Sequence, residues 1–495
     1  MNERMIAKIK TIYPNKKNIA LIFIIDLILL TITDKILHTP QNLLPLIFII
    51  IVIFISAVLV ILKNPNIGIL ITLAIMPLER IGGFYFHSIH IRFDQLIIGI
   101  SALVFLISAL IHKNLKIKKD MTFILMLALI GVNILSLINA INITRETEVL
   151  LFTLIAFIIY YLFTANFFKI EYLKYVPYVI FTSSILLSLF GLYQYIGNYI
   201  GIPGSLVGLS APYVKDVLGY PRIQSTEVEP LYWGNYLIFS ITLSIAIIVF
   251  RKKYKATNNL LKLALISFIL SSINLVFTYA RGAWIGEGIA IIVFLLLYIY
   301  IKKINKKIVL SAIGVLIILI IGFFTLLKTN HLPSSIKNVV TRAENLSSPD
   351  RIYLDTNSIE AFIRHPLIGI GDGGFGPFMS QNPFVMPPQN YTQIEGFGWA
   401  IVNNEYLSIL TNTGILGFVL FAIFMFTLLI RSFKAIIKKI NNIDQETIIL
   451  IASLSSMIGM FAQYATFSVI YILQIWMVIV IVSITSYNIL HVKRS

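Results

Sequence analysis

The sequence predicts an all-α polytopic membrane protein with about 14 transmembrane helices and a large outer loop that contains short helices. Three observations support this fold class. The 495 residues are 58% hydrophobic and 12% charged, their mean hydropathy is +0.89, and the apolar residues fall in runs of about 20. Because the bilayer core contains no water, backbone groups there must pair within a helix or a closed barrel. Continuous apolar runs favour helices over the alternating pattern of barrel strands.

Fourteen apolar runs define the predicted spans. The third run is short for a membrane helix and ends at Pro77, so a tilted, broken or re-entrant segment is expected there. The runs lie near residues 18–33, 43–62, 66–78, 95–111, 121–142, 149–168, 175–197, 231–250, 260–278, 284–301, 308–327, 413–430, 446–466 and 468–487.

The distribution of charge predicts the orientation of these spans. Cytoplasmic loops retain Lys and Arg, and with the N-terminus inside, the inner segments hold 27 of the 39 basic residues and the outer segments 12. Acidic residues show the opposite bias, with 15 outside and 5 inside. Both termini are therefore predicted to be cytoplasmic. The basic N-terminal segment precedes a run without a small-residue cleavage site, which predicts an anchor and not a removable signal.

The composition indicates which kinds of ligand or partner the protein is expected to bind. The net charge of +17 is spread over short clusters between apolar runs, so the membrane lipid is the expected partner and a nucleic acid is not. The chain has no cysteine, which excludes disulfides and thiolate metal sites. No paired metal ligands, Ser-His-Asp order or phosphate loop appears in the sequence, so neither a metal nor a cofactor is expected.

Loop lengths divide the chain into four predicted regions. Residues 1–197 form an N-terminal transmembrane bundle, 198–327 a central transmembrane region with an outer loop and an Arg-Gly turn, 328–404 a large extracytoplasmic loop, and 405–495 the C-terminal helices. Outer segments as long as 198–230 and 328–404 are usually functional. Within residues 328–404, the sequence pattern predicts a helix that begins at Ser348-Pro349 and ends before His365-Pro366.

Four segments hold most of the unusual polar residues, and by the predicted topology all four reach the outer face. They read GYPRIQSTEVEPLYWGNYL, YARGAWIGEG, RHPLIGIGDGGFG and NNEYLSILTNTGILGF. Their candidate functional residues are Arg222, Glu227 and Glu229 in the first segment, Arg281 and Glu287 in the second, Arg364, His365, Gly369 and Gly371 in the third, and Asn403, Asn404 and Glu405 in the fourth.

Each of these residues also has a structural interpretation. The glycines permit turns with positive φ, and an Arg at a helix end commonly extends to lipid headgroups. Arg222 and Arg281, however, both sit in polar company beside a helix end instead of in a basic cluster. Glu287 lies in an apolar run, where an acidic group costs about 2.5–3.5 kcal/mol, so it is expected to face a partner inside the bundle. Arg281 is a candidate partner, although a separation of six residues puts the two on different helix faces.

Together the four segments resemble the O-antigen ligase and polymerase superfamily, over about residues 220–430. ARGAW resembles the family's Arg-Gly turn, HPLIGIGDGGFG its His-Pro-x-x-Gly-x-Gly segment, and NNEYLSILTNTGILG the stretch that begins His-Asn and ends Gly-x-x-Gly. Asn404, Gly414 and Gly417 fit this stretch, whereas Asn403 stands where the family has its histidine. In ligases that histidine is thought to help activate the acceptor, so its replacement favours the more divergent polymerases over O-antigen ligases.

The resemblance implies a metal-independent glycosyltransferase of the bacterial plasma membrane. It would transfer or polymerise oligosaccharide units from a polyprenyl diphosphate-linked glycan donor to a glycan acceptor. Arg presents a permanent planar cation suited to phosphate oxygens, so Arg222 and Arg281 are assigned to the diphosphate. The candidates for the general base are His365, Glu227 and Glu229. A chain-length regulator is left open as a further partner.

Two other functions stay open at this point. A lipid-linked oligosaccharide flippase or other secondary transporter would also have about this many spans, but it would place charged residues along the midplane of many helices. This chain concentrates its polar residues in the outer loops, which favours the enzyme. A non-catalytic assembly scaffold is the third hypothesis.

Overall fold

The computed structural model describes residues 56–80, 83–86, 89–111, 117–303, 349–381, 400–467 and 472–491. Within these residues it is a helical protein with ten helices long and apolar enough to cross a membrane, which confirms the predicted fold class. The ten helices match the predicted fourth to tenth and twelfth to fourteenth spans. The predicted first and eleventh spans, and most of the second, lie outside the described residues.

The described helices and strands are numbered here in chain order. They are α1 (Pro65–Ile75), β1 (Gly83–Phe86), β2 (Ile89–Arg92), α2 (Phe93–Ile111), α3 (Met121–Asn139), α4 (Ile143–Phe167), α5 (Ile170–Tyr199), α6 (Pro230–Val249), α7 (Asn258–Phe277), α8 (Arg281–Lys302), α9 (Pro349–Arg364), α10 (Phe375–Gln381), α11 (Glu405–Lys438), α12 (Gln445–Thr466) and α13 (Leu473–His491).

Local sequence explains where several of these helices begin. Asp120, Thr257, Asn404 and Asp444 each precede a helix, and each side chain accepts hydrogen bonds from backbone amides of the first turn. Such caps satisfy N–H groups that have no partner within the helix. The short third span is also confirmed as an apolar helix: α1 has 11 residues and begins at Pro65, which suits the first helical position.

A small β-hairpin follows α1 and was not predicted. Strands β1 and β2 pair in antiparallel fashion, from Gly83 opposite Arg92 to Phe86 opposite Ile89. The hairpin returns the chain directly to α2, and it places Arg92 at the entrance of that helix.

Small residues allow three central helices to pack closely. A Cβ atom on Gly286 of α8 would meet the backbone carbonyl of Gly459 on α12, and one on Gly234 of α6 would meet Ala283. Membrane helices associate through such small-residue contacts because lipid supplies no hydrophobic driving force between them. The glycines of the YARGAWIGEG segment are thus explained in part by packing.

Contacts between helix ends show which ends share a face of the bundle. On one face, the Gln445 side chain donates to the Tyr254 carbonyl at 2.7 Å and Lys438 to the Ile489 carbonyl at 2.9 Å. On the other face, Asn139 donates to the Gly369 carbonyl at 2.7 Å and the Glu405 amide to the Phe467 carbonyl at 3.1 Å.

The second face carries residues 198–229 and the described part of the large loop, and it is called the loop face below. The grouping of helix ends agrees with the predicted alternation of the spans. Helix α9 lies on this face between the limits that the sequence predicts, from Pro349 to the residue before His365.

Candidate functional site

Arg222 is held at the loop face by its neighbours on both sides. Its backbone amide donates to the Tyr213 carbonyl at 2.9 Å, and its guanidinium lies over the Tyr213 ring, 5.5 Å from the ring centre. The guanidinium Nε donates to the Thr278 carbonyl at 2.9 Å, and Nη2 lies 3.5 Å from the Tyr279 carbonyl. Thr278 and Tyr279 form the turn that leads into Arg281. The structure therefore brings the Arg222 segment and the Arg281 turn together, as their assignment to one site requires.

Two residues in left-handed backbone conformation flank this junction. Ser225 and Tyr279 both have φ near 51°, a conformation that is uncommon for residues other than glycine. Ser225 is held by Gln194, whose side chain accepts from the Ser225 amide at 2.8 Å and donates to its carbonyl at 2.9 Å. Tyr279 is fully buried, with its ring 4.4 Å from that of Tyr220. Strained conformations persist where the surroundings over-determine them, often at functional sites.

Glu229 is a carboxylate that interacts electrostatically with this cation. It lies close enough to Arg222 and to Arg351 of α9 that both favour its charged form, while burial, the larger effect, raises the pKa of Glu229. The same group affects Tyr213: burial and the negative charge of Glu229 raise the pKa of Tyr213 to about 12. A half-buried carboxyl with a raised pKa beside two cations has the properties of a general base.

Glu227 has a different environment, although it is only two residues away. It is fully buried, and the Gln474 side chain of α13 donates a hydrogen bond to it. Arg92 pairs with Glu79 and, at 3.4 Å, with Asp94. Burial and the adjacent Glu79 raise the pKa of Glu227 well above its ordinary value. The structure places Glu227 in a buried polar cluster with Glu79, Arg92 and Asp94, away from the surface that a substrate would reach.

Arg281 and Glu287 both lie in the first two turns of α8 but have different surroundings. Arg281 is the first residue of the helix and lies half-buried at the loop face. Glu287 is buried one and a half turns further along, close to Thr242 of α6. Glu287 therefore faces the bundle interior, as predicted, with a hydroxyl of another helix as its neighbour and not Arg281.

The glycine-rich segment is built onto a break in α11. Gly414 has φ 64° and ψ −166° inside this helix, and a Cβ atom there would collide with the backbone of Leu367. The backbone groups released by the break pair with the segment: the Ile370 amide donates to the Thr411 carbonyl at 3.0 Å, and the Ile415 amide to the Pro366 carbonyl at 2.9 Å. Non-helical backbone at membrane depth requires such partners.

This pairing explains the glycines predicted to bind substrate. Gly369 and Gly371 have φ values of 70° and 87°. A Cβ atom on Gly369 would meet the Asn412 backbone, and one on Gly371 would meet the Glu146 carboxyl. Both positions require glycine for the fold, whatever their part in substrate binding, which stays a prediction.

His365 and Arg364 lie at the far end of α9 from Arg351. At about 1.5 Å per helical residue, His365 is about 20 Å along the helix from Arg351. Arg364 is exposed, pairs with Glu360 at 2.8 Å and lies over the Phe378 ring. The structure thus brings Arg222, Glu229 and Arg351 together and leaves His365 outside that group.

The remaining candidates open α11. Asn404 is the N-cap of the helix, since its side chain accepts from the Tyr406 amide at 3.0 Å and the Leu407 amide at 3.3 Å. Glu405 is buried and faces a cavity inside the bundle, while Asn403 is half-buried at the loop face. The substrate-binding role predicted for these residues is not tested by these contacts.

Sequence reasoning missed three members of the group around Glu229. Arg351 stands near Glu229, and Arg80 donates to the Gly208 carbonyl at 2.9 Å and lies near Tyr213. One signal was available for both arginines, because they are among the 12 basic residues outside the predicted inner segments. For Tyr213, which is uncharged, the distribution of charge gave no such indication. Among the described residues, no three carboxylate or imidazole groups converge on a metal position.

Comparison with known proteins identifies part of the chain. Residues 266–422 match the family model described as O-antigen ligase. An uncharacterised protein of Haemophilus influenzae is 27% identical over 238 residues, which are 46% of this chain and 57% of that protein. The matched range includes Arg281, the described part of the large loop and the broken part of α11. Residues 266–422 are thus similar to the O-antigen ligase family, and the ten long apolar helices of the described residues are those of a multi-pass membrane protein.

Proposed function

We propose that this protein is a polysaccharide polymerase of the outer face of the bacterial plasma membrane. It extends a glycan with oligosaccharide units carried on polyprenyl diphosphate, and it needs neither metal nor nucleotide sugar. The observation that carries the proposal is the group at the loop face: Arg222 bonded to the turn before Arg281, with Glu229 and Arg351 beside it. The family match supports a membrane enzyme that acts on lipid-linked glycans.

The arginines fit the leaving group of this reaction. When the glycosidic C–O bond breaks, negative charge grows on the lipid diphosphate. Arg222, Arg281 and Arg351 present permanent cations whose planar forks match phosphate oxygens. Because Arg222 is already fixed by two backbone carbonyls and the Tyr213 ring, little reorganisation is needed as the charge develops.

Glu229 is the general base in this proposal. The acceptor hydroxyl oxygen forms the new bond to the anomeric carbon as the bond to the diphosphate oxygen breaks, and the hydroxyl proton passes to the Glu229 carboxylate. The raised pKa of Glu229 makes it a stronger proton acceptor than an exposed glutamate. Its position beside Arg222 favours it over the buried Glu227 and over His365 at the far end of α9.

The acceptor is a growing glycan in this proposal, because Asn403 replaces the histidine that ligases are thought to use on their acceptor. Glu229 supplies a base without it. An O-antigen ligase would transfer the glycan to a different acceptor. It would use the same donor site, and only the molecule bound at the acceptor site would differ.

The test uses purified protein in detergent with lipid-linked repeat units as the only substrate. Wild type is expected to make products of higher mass, and Arg222→Ala, Arg281→Ala and Arg351→Ala each to reduce the rate by about 10²–10³-fold, as when a preorganised charge partner is removed. Arg251→Ala is the matched control, because Arg251 is exposed at the end of α6 on the opposite face. Full activity of the Arg222 and Arg351 variants would contradict the diphosphate role.

The broken helix α11 favours one alternative, a transporter of lipid-linked oligosaccharides, because discontinuous helices are typical of transporter binding sites. The same assay separates the two functions. A transporter makes no product of higher mass in detergent, where there is only one compartment.

A further inference from the structure

Helix α9 has apolar residues on two opposite sides. On one side Tyr353 and Leu354 are at most 3% exposed and belong to a small core that packs against α11. On the other side Ile352, Ile359 and Ile363 are 60%, 46% and 61% exposed. Spacings of seven and four residues put these three side chains on one stripe of the helix, called the isoleucine stripe below. The buried side is explained by the core, whereas the isoleucine stripe is not.

Helix α3 shows where the bilayer ends at the loop face. It has 19 residues, or about 28 Å at about 1.5 Å per residue, close to the roughly 30 Å of the hydrocarbon core. At its loop-face end, Asn139 donates to the Gly369 carbonyl at 2.7 Å. A Cβ atom on Gly369 would in turn meet the Asn412 backbone of α11. Asn139, Gly369 and Asn412 therefore mark the edge of the apolar layer at the loop face.

The residues that follow α9 lie on the bilayer side of this edge. The Ile415 amide donates to the Pro366 carbonyl at 2.9 Å and the Leu416 amide to the Leu367 carbonyl at 3.3 Å. Ile415 and Leu416 come after Asn412 in α11, towards the opposite face, and they begin the exposed apolar side of that helix. Leu367 is itself 65% exposed. Exposed apolar surface thus reaches from the membrane-spanning part of α11 to the end of α9.

The middle of α9 lies at the same edge. The hydroxyl groups of Ser358 and Thr411 are 2.6 Å apart, and Thr411 directly precedes Asn412. From Ser358 to its end, α9 therefore runs close to the edge of the apolar layer. Helices with an apolar stripe and polar flanks are typical of this position, where they lie in the membrane surface. The flanks of α9 carry Asp355 and the ion pair of Arg364 with Glu360.

We propose that α9 is an interfacial helix whose isoleucine stripe is seated among the acyl chains of the leaflet at the loop face. The occupant of this surface is bilayer lipid, because the stripe continues into the exposed apolar side of α11. Arg364 is 43% exposed at the end of α9, within reach of lipid headgroups. The proposal concerns membrane contact alone and does not depend on the proposed glycosyl transfer.

The absence of native cysteine allows a direct test. Ile359→Cys and Ile363→Cys each carry one environment-sensitive fluorophore in the full-length protein, reconstituted into phosphatidylcholine vesicles. Val419→Cys, at an exposed apolar residue in the membrane-spanning part of α11, is the lipid control. Asp216→Cys, at an exposed residue of the loop face, is the water control. The measurement compares quenching by lipid brominated on its acyl chains with quenching by iodide present on both sides of the vesicle.

We expect brominated lipid to quench the probes at positions 359 and 363 as strongly as the probe at 419, and iodide to quench only the probe at 216. Both isoleucine side chains are exposed, so their replacement removes no buried contact and the melting temperatures should match that of wild type. If one label lowers the melting temperature, the other position decides.

Two results would overturn the proposal. Iodide quenching at 359 and 363 as strong as at 216 would show that the isoleucine stripe faces water. Protection of both probes from both quenchers, with the two controls behaving as expected, would show that protein covers the stripe instead of lipid.

Discussion

Glu227 and Glu229 show how far two residues of one short segment can differ. Glu227 accepts a hydrogen bond from Gln474 in a fully buried cluster, whereas Glu229 is half-buried and interacts electrostatically with Arg222 and Arg351. Burial raises the pKa of both, but only Glu229 is partly exposed at the loop face. From the sequence the two were equal candidates for the base, because the partners that separate them lie far away in the chain.

The raised pKa of Glu229 has a consequence for the pH dependence of the reaction. A general base acts when deprotonated, so activity should fall as the pH drops through the raised pKa of Glu229, above the value of about 4.3 for an exposed glutamate. In Glu229→Gln the rate should drop by about 10²-fold or more. The decline of the rate at acidic pH, called the acidic limb of the pH profile, should also vanish in this variant. Rates of chain extension between pH 4 and 9 would measure both.

Glu171→Gln, at an exposed residue of the opposite face, should keep the limb and serves as its control. If Glu229→Gln retains the acidic limb at full amplitude, the proton goes to another group, and His365 is the next candidate.

Among the elements, α11 departs most from the sequence prediction. Its polar start was predicted to bind substrate, and this stays a prediction. What the sequence did not predict is the break at Gly414, where the free backbone groups pair with residues 366–371. Hydropathy detects neither the break nor its partner, because both depend on hydrogen bonds between segments more than 40 residues apart. The hairpin of β1 and β2 also escaped prediction, although its two strands are adjacent in the chain.

The break of α11 at Gly414 can be tested by measuring the stability of variants. Gly414→Ala forces a side chain into positive φ and into the Leu367 backbone, so it should destabilise the protein by several kcal/mol. Gly131→Ala, in α3, meets nothing within 4 Å and should be neutral or slightly stabilising. Melting temperatures in detergent compare the two variants. Equal stability of both would mean that α11 is not broken at Gly414.

For the molecule as a whole, the sequence predicted the class of fold, ten of the spans and the range of helix α9, because apolar runs and caps are local signals. The contacts at the two faces agree with the predicted alternation, and the match to the O-antigen ligase model confirms the resemblance. The number of 14 spans stays a prediction. So do the inner and outer assignment of the faces and the chemical role of each site residue.

The absence of native cysteine makes the orientation easy to test. Asp216→Cys and Lys252→Cys place one thiol each at exposed positions on the loop face and the opposite face. In intact spheroplasts a membrane-impermeant maleimide is expected to label position 216 and not position 252, because positive charge marks the cytoplasmic side. Both should react after permeabilisation. Labelling of only position 252 in intact spheroplasts would invert the topology and exclude an outer-face enzyme.

The hydrogen bond from Gln474 to Glu227 bears on how the protein is made. Glu79, Arg92 and Asp94 leave the ribosome before Glu227, and Glu227 leaves it well before Gln474 of α13. A nascent chain must therefore tolerate an incomplete polar cluster until α13 is inserted. Chains truncated before α13 would retain that defect, which gives membrane quality control a feature by which to recognise and degrade unfinished copies.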